Sequence, residues 1–216
     1  MLRPVPLQTR CVGLISALRL DAPMLRGFWP RLLATRYNND RLSYLFVHVH
    51  GQKRRKKGTC SMIEDGAQAP DFELPDETGT TVRLSRLKGR PVVIYFYPKD
   101  DTSGCTAEAK GFTCLLDAFA QAGADVIGIS PDSPQSHGKF KEKHGLTVQL
   151  LADETRAAAE AYGVWVEKSM YGRKYMGIER STFLVDRTGR IARSWRKVRV
   201  PGHAEDVLEA VKALKP

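Results

Sequence analysis

Among the side chains of this sequence, the thiol of Cys105 has the neighbours best suited to chemistry. It follows Pro98-Lys99-Asp100-Asp101-Thr102-Ser103-Gly104, a run of turn and helix-capping residue types. From Cys105 onward, Phe112, Leu115, Leu116 and Phe119 recur at helical spacing, which predicts a helix with Cys105 in its first turn. Free backbone N–H groups and the positive end of the helix dipole favour an anion there, so a thiolate at this position is stabilised. A thiolate is a nucleophile, whereas a buried core cysteine is inert, and a core position fits poorly behind an Asp-Asp-Thr-Ser-Gly turn. Cys11, Cys60, Cys105 and Cys114 show neither paired metal spacing nor a dense disulfide framework, which points to a reducing compartment with a catalytic thiol.

The elements around Cys105 can be read from periodicity. Val92-Val93-Ile94-Tyr95-Phe96-Tyr97 is a continuous apolar run, expected to be a central strand buried on both faces and ended by Pro98. Upstream, residues 71–74 and 81–84 flank the turn Asp76-Glu77-Thr78-Gly79 and read as a hairpin, after which Ser85 caps a short turn ending at Gly89. Downstream come a buried strand at 125–130 and a polar helix from Pro134 to His144 closed by Gly145. A short strand at 149–151 and an alanine-rich helix over 154–162 closed by Gly163 follow. The chain ends in a hairpin of 182–185 with 191–195 and an amphipathic helix over 204–214. This order predicts an α/β fold with a mixed central sheet flanked by helices.

Pro98-x-x-x-Thr102-x-x-Cys105 matches the peroxiredoxin active-site signature, and the residues from Phe96 to Thr106 resemble the class called bacterioferritin comigratory protein, or PrxQ. The likeness runs from about Gly66 to the C-terminus. It includes Tyr162-Gly163-Val164-Trp165, Met170-Tyr171-Gly172 and Gly177-Ile178-Glu179-Arg180-Ser181-Thr182-Phe183-Leu184-Val185-Asp186. The resemblance implies a thioredoxin-like fold with peroxiredoxin additions and a thiol-dependent peroxidase acting on hydrogen peroxide and organic hydroperoxides. It implies that Cys105 is the peroxidatic nucleophile, that Thr102 hydrogen-bonds thiolate and peroxide, and that Arg180 completes the site. Thr102 read alone is a helix N-cap, and Arg180 read alone is a surface arginine.

Many members of this class carry a resolving cysteine five residues after the reactive one, where this chain has Lys110. Cys114, nine residues on, is the candidate in its place, with a buried Cys114 in a one-cysteine enzyme as the alternative. Thioredoxin or a similar thiol donor is the expected reductant, and no cofactor or metal is expected. His48, His50, His137, His144 and His203 lack ligand spacing. Tyr97, Trp165 and Tyr175 read as packing residues.

The formal charge of +10 is unevenly placed. Residues 1–61 hold twelve Lys/Arg against Asp21 and Asp40, whereas residues 62–216 hold 22 of each sign. The chain therefore divides into a basic segment, 1–61, and a peroxiredoxin domain, 62–216. For the segment, which ends near Lys53-Arg54-Arg55-Lys56-Lys57, the favoured reading is upstream reading frame ahead of a start at Met62. A disordered tail, an organelle transit peptide and a nucleic-acid contact are the competing readings. No run of about 18 apolar residues predicts a membrane span, and a cytoplasmic monomer or weak homodimer is expected.

Two other functional classes compete. A thioredoxin-like disulfide oxidoreductase wants C-x-x-C, but Cys105-Thr106-Ala107-Glu108 has no second cysteine. A binder or chaperone using the basic arm would show a salt-dependent DNA shift that residues 62–216 alone do not. The charge break gives a first prediction. The fragment 62–216 should melt near the full chain and keep its kcat/KM; aggregation or loss of most activity would show that residues 1–61 pack on the domain.

Overall fold

The structure is a computed structural model and describes residues 63–170 and 172–214. The expectations for residues 1–61, and for Cys11, Cys60, His48 and His50 within them, lie outside the described residues. Among the described residues the first elements are a hairpin of β1 (Glu73–Pro75) and β2 (Thr81–Arg83), closed by Asp76, whose Oδ1 accepts from the Thr78 and Thr80 N–H groups. A 3-10 turn over Leu84–Leu87 follows, with Arg83 at its N-cap. Ser85 thus lies inside the turn and does not cap it; its N–H instead donates to Asp71 Oδ1 at 2.9 Å.

Next come β3 (Val92–Phe96), α1 (Ser103–Gln121), β4 (Asp125–Ser130), α2 (Pro134–His144) and β5 (Gln149–Ala152). The order continues with α3 (Ala157–Ala161), β6 (Trp165–Met170), β7 (Arg173–Ile178), β8 (Ser181–Val185), β9 (Ile191–Trp195) and α4 (His203–Ala213). The main sheet runs β5-β4-β3-β8-β9; the β3–β4 and β4–β5 pairs are parallel, and β3–β8 and β8–β9 antiparallel. This is the mixed sheet expected from the order of elements. Among the described residues no helix is long and apolar enough to cross a membrane.

β3 is buried along its whole length, as its apolar run demands, and its alternating side chains feed two cores. Val92, Ile94 and Phe96 face one layer with Ala158, Tyr162 and Phe183. Val93, Tyr95 and Tyr97 face the other, where Cys105 and Phe112 of α1 and Val207 of α4 close over them. Cys105 therefore grows out of the layer in which β3 meets α1.

α2 begins at Pro134 behind an N-cap Ser133, whose Oγ accepts from the Ser136 N–H. It ends at Gly145, which takes the left-handed φ of +63° that the cap needs. The alanine-rich helix is shorter than its composition suggests. Asp153 accepts from the Ala159 N–H at 2.8 Å and Arg156 takes a φ of +64°, so residues 154–156 form a turn before α3. The hairpin of β6 and β7 was not expected from periodicity. Its outer part is exposed and mostly polar or charged, so no apolar alternation marks it.

Gly128, in the middle of β4, is tight against the core. A Cβ there would stand 2.5 Å from Tyr95 Cζ and 2.8 Å from Leu150 Cδ2, both fully buried. Gly128→Ala should lower unfolding free energy by about 1–3 kcal/mol, the usual cost of overpacking. A denaturant titration with an unchanged midpoint would show that this layer can yield.

Candidate active site

The loop from Pro98 to Thr102 carries the chain from β3 into α1. Thr102 is the N-cap, extended at φ −90° and ψ 148°, and its carbonyl accepts the first helical bond from the Thr106 N–H at 2.8 Å. Its hydroxyl does not cap; it donates to the Lys99 carbonyl at 3.1 Å. Cys105 is the third residue of α1, in the first turn, as its spacing predicts. Helix geometry leaves the N–H groups of Gly104 and Cys105 without an intrahelical acceptor, so they add positive potential at the thiol.

Arg180 sits between β7 and β8. Its Nη2 donates to Cys105 Sγ at 3.2 Å, and its Nη1 pairs with Glu108 Oε2. The sheet explains the meeting. Phe96 is paired with Ser181 across the β3–β8 ladder, so the next residue outward on β8 is Arg180, beside the exit of β3 toward Cys105. Gly104 leaves room for the guanidinium, since a Cβ there would lie 3.3 Å from Nη2. The neighbouring Glu179 accepts from Arg196 Nε at 2.7 Å, and Arg196 also donates to the Gly163 carbonyl at 2.7 Å, which steadies the strand junction.

The sulfur is almost dry: Cys105 is 2% exposed and packs in the core layer of Tyr95, Tyr97 and Phe112. This corrects the expectation that the turn before it keeps it out of a core position; the helix that follows the turn folds back over β3 and carries the side chain inward. Glu108, one turn further along α1, is equally buried. Burial pushes its carboxyl up from the ordinary 4.5 to about 7, with the Arg180 charge and hydrogen bond pulling the other way. Arg180 is held charged by Glu108 and Cys105 against the opposing effect of its own burial. One guanidinium thus bridges a carboxyl and a sulfur, and its charge lies where a negative oxygen formed beside the sulfur would meet it.

The structure brings Cys105 and Arg180 together and places Thr102 at the N-cap directly ahead of them. Cys114 is exposed, nine residues along an unbroken α1. That corrects the alternative of a Cys114 buried beside Leu115. Tyr175 is 45% exposed, so it is no packing residue, whereas Tyr97 is buried and Trp165 packs against the core. His137 and His203 are buried side chains. His203 Nε2 lies 2.8 Å from Thr182 Oγ1, and burial lowers its pKa to about 4. Glu108 was missed because a lone acid between Ala107 and Ala109 reads as a solvated helix face. Its signal is its three-residue spacing from Cys105, which puts both on one side of α1.

A sheet of this topology, with a buried thiol at a helix N-terminus beneath a guanidinium, is the architecture of a peroxiredoxin, a peroxidase that works through a cysteine. Comparisons with known proteins agree. Residues 66–194 match the model of the AhpC/TSA family. Peroxiredoxin Bcp of Bacillus subtilis is 52% identical over 150 residues, covering 69% of this chain and 96% of that protein. The bacterioferritin comigratory protein of Xanthomonas campestris, solved in trapped intermediate/ligand complexes, is 44% identical with a TM-score of 0.66, covering 69% of this chain and 98% of the other. A PrxQ mutant of Xylella fastidiosa is 41% identical with a TM-score of 0.68, covering 71% and 98%. The chain belongs to the AhpC/TSA family, and its fold is the thioredoxin-like fold of those peroxiredoxins.

Glu108 also makes a pH prediction. Between 4.5 and about 7 the unfolded carboxyl has lost its proton while the folded one keeps it. The folded state then binds more protons, so this group makes stability fall as pH rises through that window. The unfolding free energy of wild type should fall relative to that of Glu108→Gln across it, with a relative slope of about 1.4 kcal/mol per pH unit at the steepest. The unpaired Arg180 of the variant adds only a pH-independent offset. A constant difference across the window would mean that Glu108 does not carry the proton.

Proposed function

We propose that Cys105 is the peroxidatic residue of a thiol peroxidase that reduces hydrogen peroxide and organic hydroperoxides, with Thr102 and Arg180 completing the site. The observation that carries this reading is the 3.2 Å bond from Arg180 Nη2 to Cys105 Sγ at the start of α1. In the reaction the thiolate attacks the terminal oxygen of ROOH. The O–O bond breaks, an S–OH bond forms, and the RO⁻ released takes up a proton to leave as alcohol or water. Arg180 and the first-turn N–H groups face the oxygen on which charge grows. Thr102 would orient the peroxide by turning its hydroxyl from the Lys99 carbonyl toward the incoming oxygen. The Xanthomonas relative is described as an alkyl peroxide reductase, which supports an organic hydroperoxide among the substrates.

The sulfenic acid must then be reduced. Cys114 is the proposed resolving thiol, condensing with Cys105 Sγ–OH to a disulfide and water, with thioredoxin or a similar thiol donor restoring both. Nine residues of helix hold the two Cα atoms about 13 Å apart, and a disulfide needs about 7 Å or less, so α1 must unwind first. The exposure of Cys114 leaves it free to meet the opened turn. Gly111 lies in the intervening stretch and weakens the helix by about 1 kcal/mol relative to alanine.

Cys105→Ser should abolish turnover of both peroxide classes with the fold intact, and Thr102→Val should cost roughly 10²-fold in kcat/KM. Retention of more than a few per cent of activity by Cys105→Ser would end the assignment. For resolution, one equivalent of hydrogen peroxide followed by thiol blocking and peptide mapping should yield a Cys105–Cys114 disulfide within one chain. A stable sulfenic acid, or unchanged thioredoxin-linked turnover in Cys114→Ser, would mark a one-cysteine enzyme instead.

A further inference from the structure

We propose that the loop ahead of Cys105 is clasped to α2, and that this clasp governs how readily a thiol reductant reaches the oxidised sulfur, with little influence on the peroxide step. The proposal rests on the reading of Cys105 as the peroxidatic residue.

The two consecutive carboxylates of the loop both turn toward α2. Asp100 is buried: its Oδ1 accepts from the Tyr97 hydroxyl at 2.7 Å, and its Oδ2 from Ser136 Oγ at 2.7 Å and His137 Nδ1 at 2.9 Å. The bond to the carboxylate places a proton on His137 Nδ1. Asp101 reaches the other end of the same helix, accepting from Lys143 Nζ at 2.5 Å and meeting His144 Nε2 at 2.7 Å. The Asp100 N–H donates to Oδ2 of Asp132, just before the α2 N-cap, at 2.8 Å. Asp101 also has a φ of +56°, a conformation that a residue other than glycine keeps only when its surroundings hold it. The contacts with α2 supply that hold.

Peroxide and reductant make different demands on this loop. A peroxide is small and can be served by the closed site, where Arg180 already touches the sulfur. A reductant must bring its own sulfur in line behind the bond it breaks. In that step R–SH attacks Cys105 Sγ–OH, an S–S bond forms, the S–O bond breaks, and the hydroxyl leaves with the thiol proton as water. With Cys105 2% exposed, the first turn of α1 and the loop before it have to swing outward. Swinging breaks the Asp100 and Asp101 contacts and leaves His137, which is 0% exposed, without its acceptor. The clasp is therefore part of the free energy that separates closed from open forms, and loosening it raises the open population.

The test compares Ser136→Ala, Lys143→Ala and His137→Gln in the full chain, all carrying Cys114→Ser so that the sulfenic acid waits for the external thiol. Three quantities are read: the second-order rate of Cys105 oxidation by hydrogen peroxide, the rate at which 2-mercaptoethanol or thioredoxin consumes the sulfenic acid, and amide hydrogen exchange over residues 98–108. Oxidation should stay within about twofold. Capture by thiol should rise about fivefold or more for each bond removed, with exchange rising in step. The clasp is refuted if neither capture nor exchange changes, if exchange rises without faster capture, or if oxidation slows as much as capture changes. Should His137→Gln fail to fold, the half-buried Ser136 and exposed Lys143 positions read the same quantities. A parent protein that forms no sulfenic acid at Cys105 would overturn the assignment of the nucleophile, while the exchange measurement would still show whether the clasp holds the loop.

Discussion

One guanidinium shared between a carboxyl and a sulfur in a nearly water-free layer is the interaction on which this structure depends. Arg180 holds Glu108 with one nitrogen and Cys105 with another, and both partners stand on the first turns of α1. Water would weaken such a bridge, and here the layer of Tyr95, Tyr97 and Phe112 closes one side of it. The sheet does the positioning. Antiparallel pairing of β3 with β8 in the observed register puts the residue before Ser181 beside the exit of β3, and the loop from that exit delivers the cysteine. A slip of one residue would send the β8 side chains to the opposite face and take the cation away from the thiol.

Glu108 shows what the arrangement costs. A carboxylate out of water is unfavourable unless paired, and pairing with Arg180 offsets only part of the penalty, which is why its proton is held to about 7. An apolar residue at that position would spare the cost, but it would leave the guanidinium free to turn from the sulfur. The carboxyl fixes the direction of Arg180, and the sulfur receives the remaining nitrogen.

How much of this was legible in the sequence follows from where each signal lives. Local signals were readable: the unbroken apolar run of β3, the turn residues before Cys105, and the Pro134 and Gly145 ends of α2 all act over a few positions. Arg180 was legible only through the resemblance of residues 177–186 to a family, because nothing in its neighbours marks it off from other arginines. The partners Glu108, Asp100 and His137 were not legible, since Asp100 and His137 stand 37 positions apart and only the packing of α2 on the loop joins them. The β6–β7 hairpin escaped for the opposite reason. It buries too little for its pattern to show, and backbone pairing holds it.

The central claim is that Arg180 acts on the sulfur in the reaction and does more than pack beside it. Stopped-flow measurement of the second-order rate of Cys105 oxidation by hydrogen peroxide in Arg180→Met tests it most directly, with near-ultraviolet circular dichroism to establish that the fold persists. The account predicts a fall of roughly 10²-fold or more, on the scale of losing an oriented charge at a growing oxyanion. A folded variant whose rate stays within about threefold of wild type, less than the loss of one ordinary hydrogen bond, would contradict it.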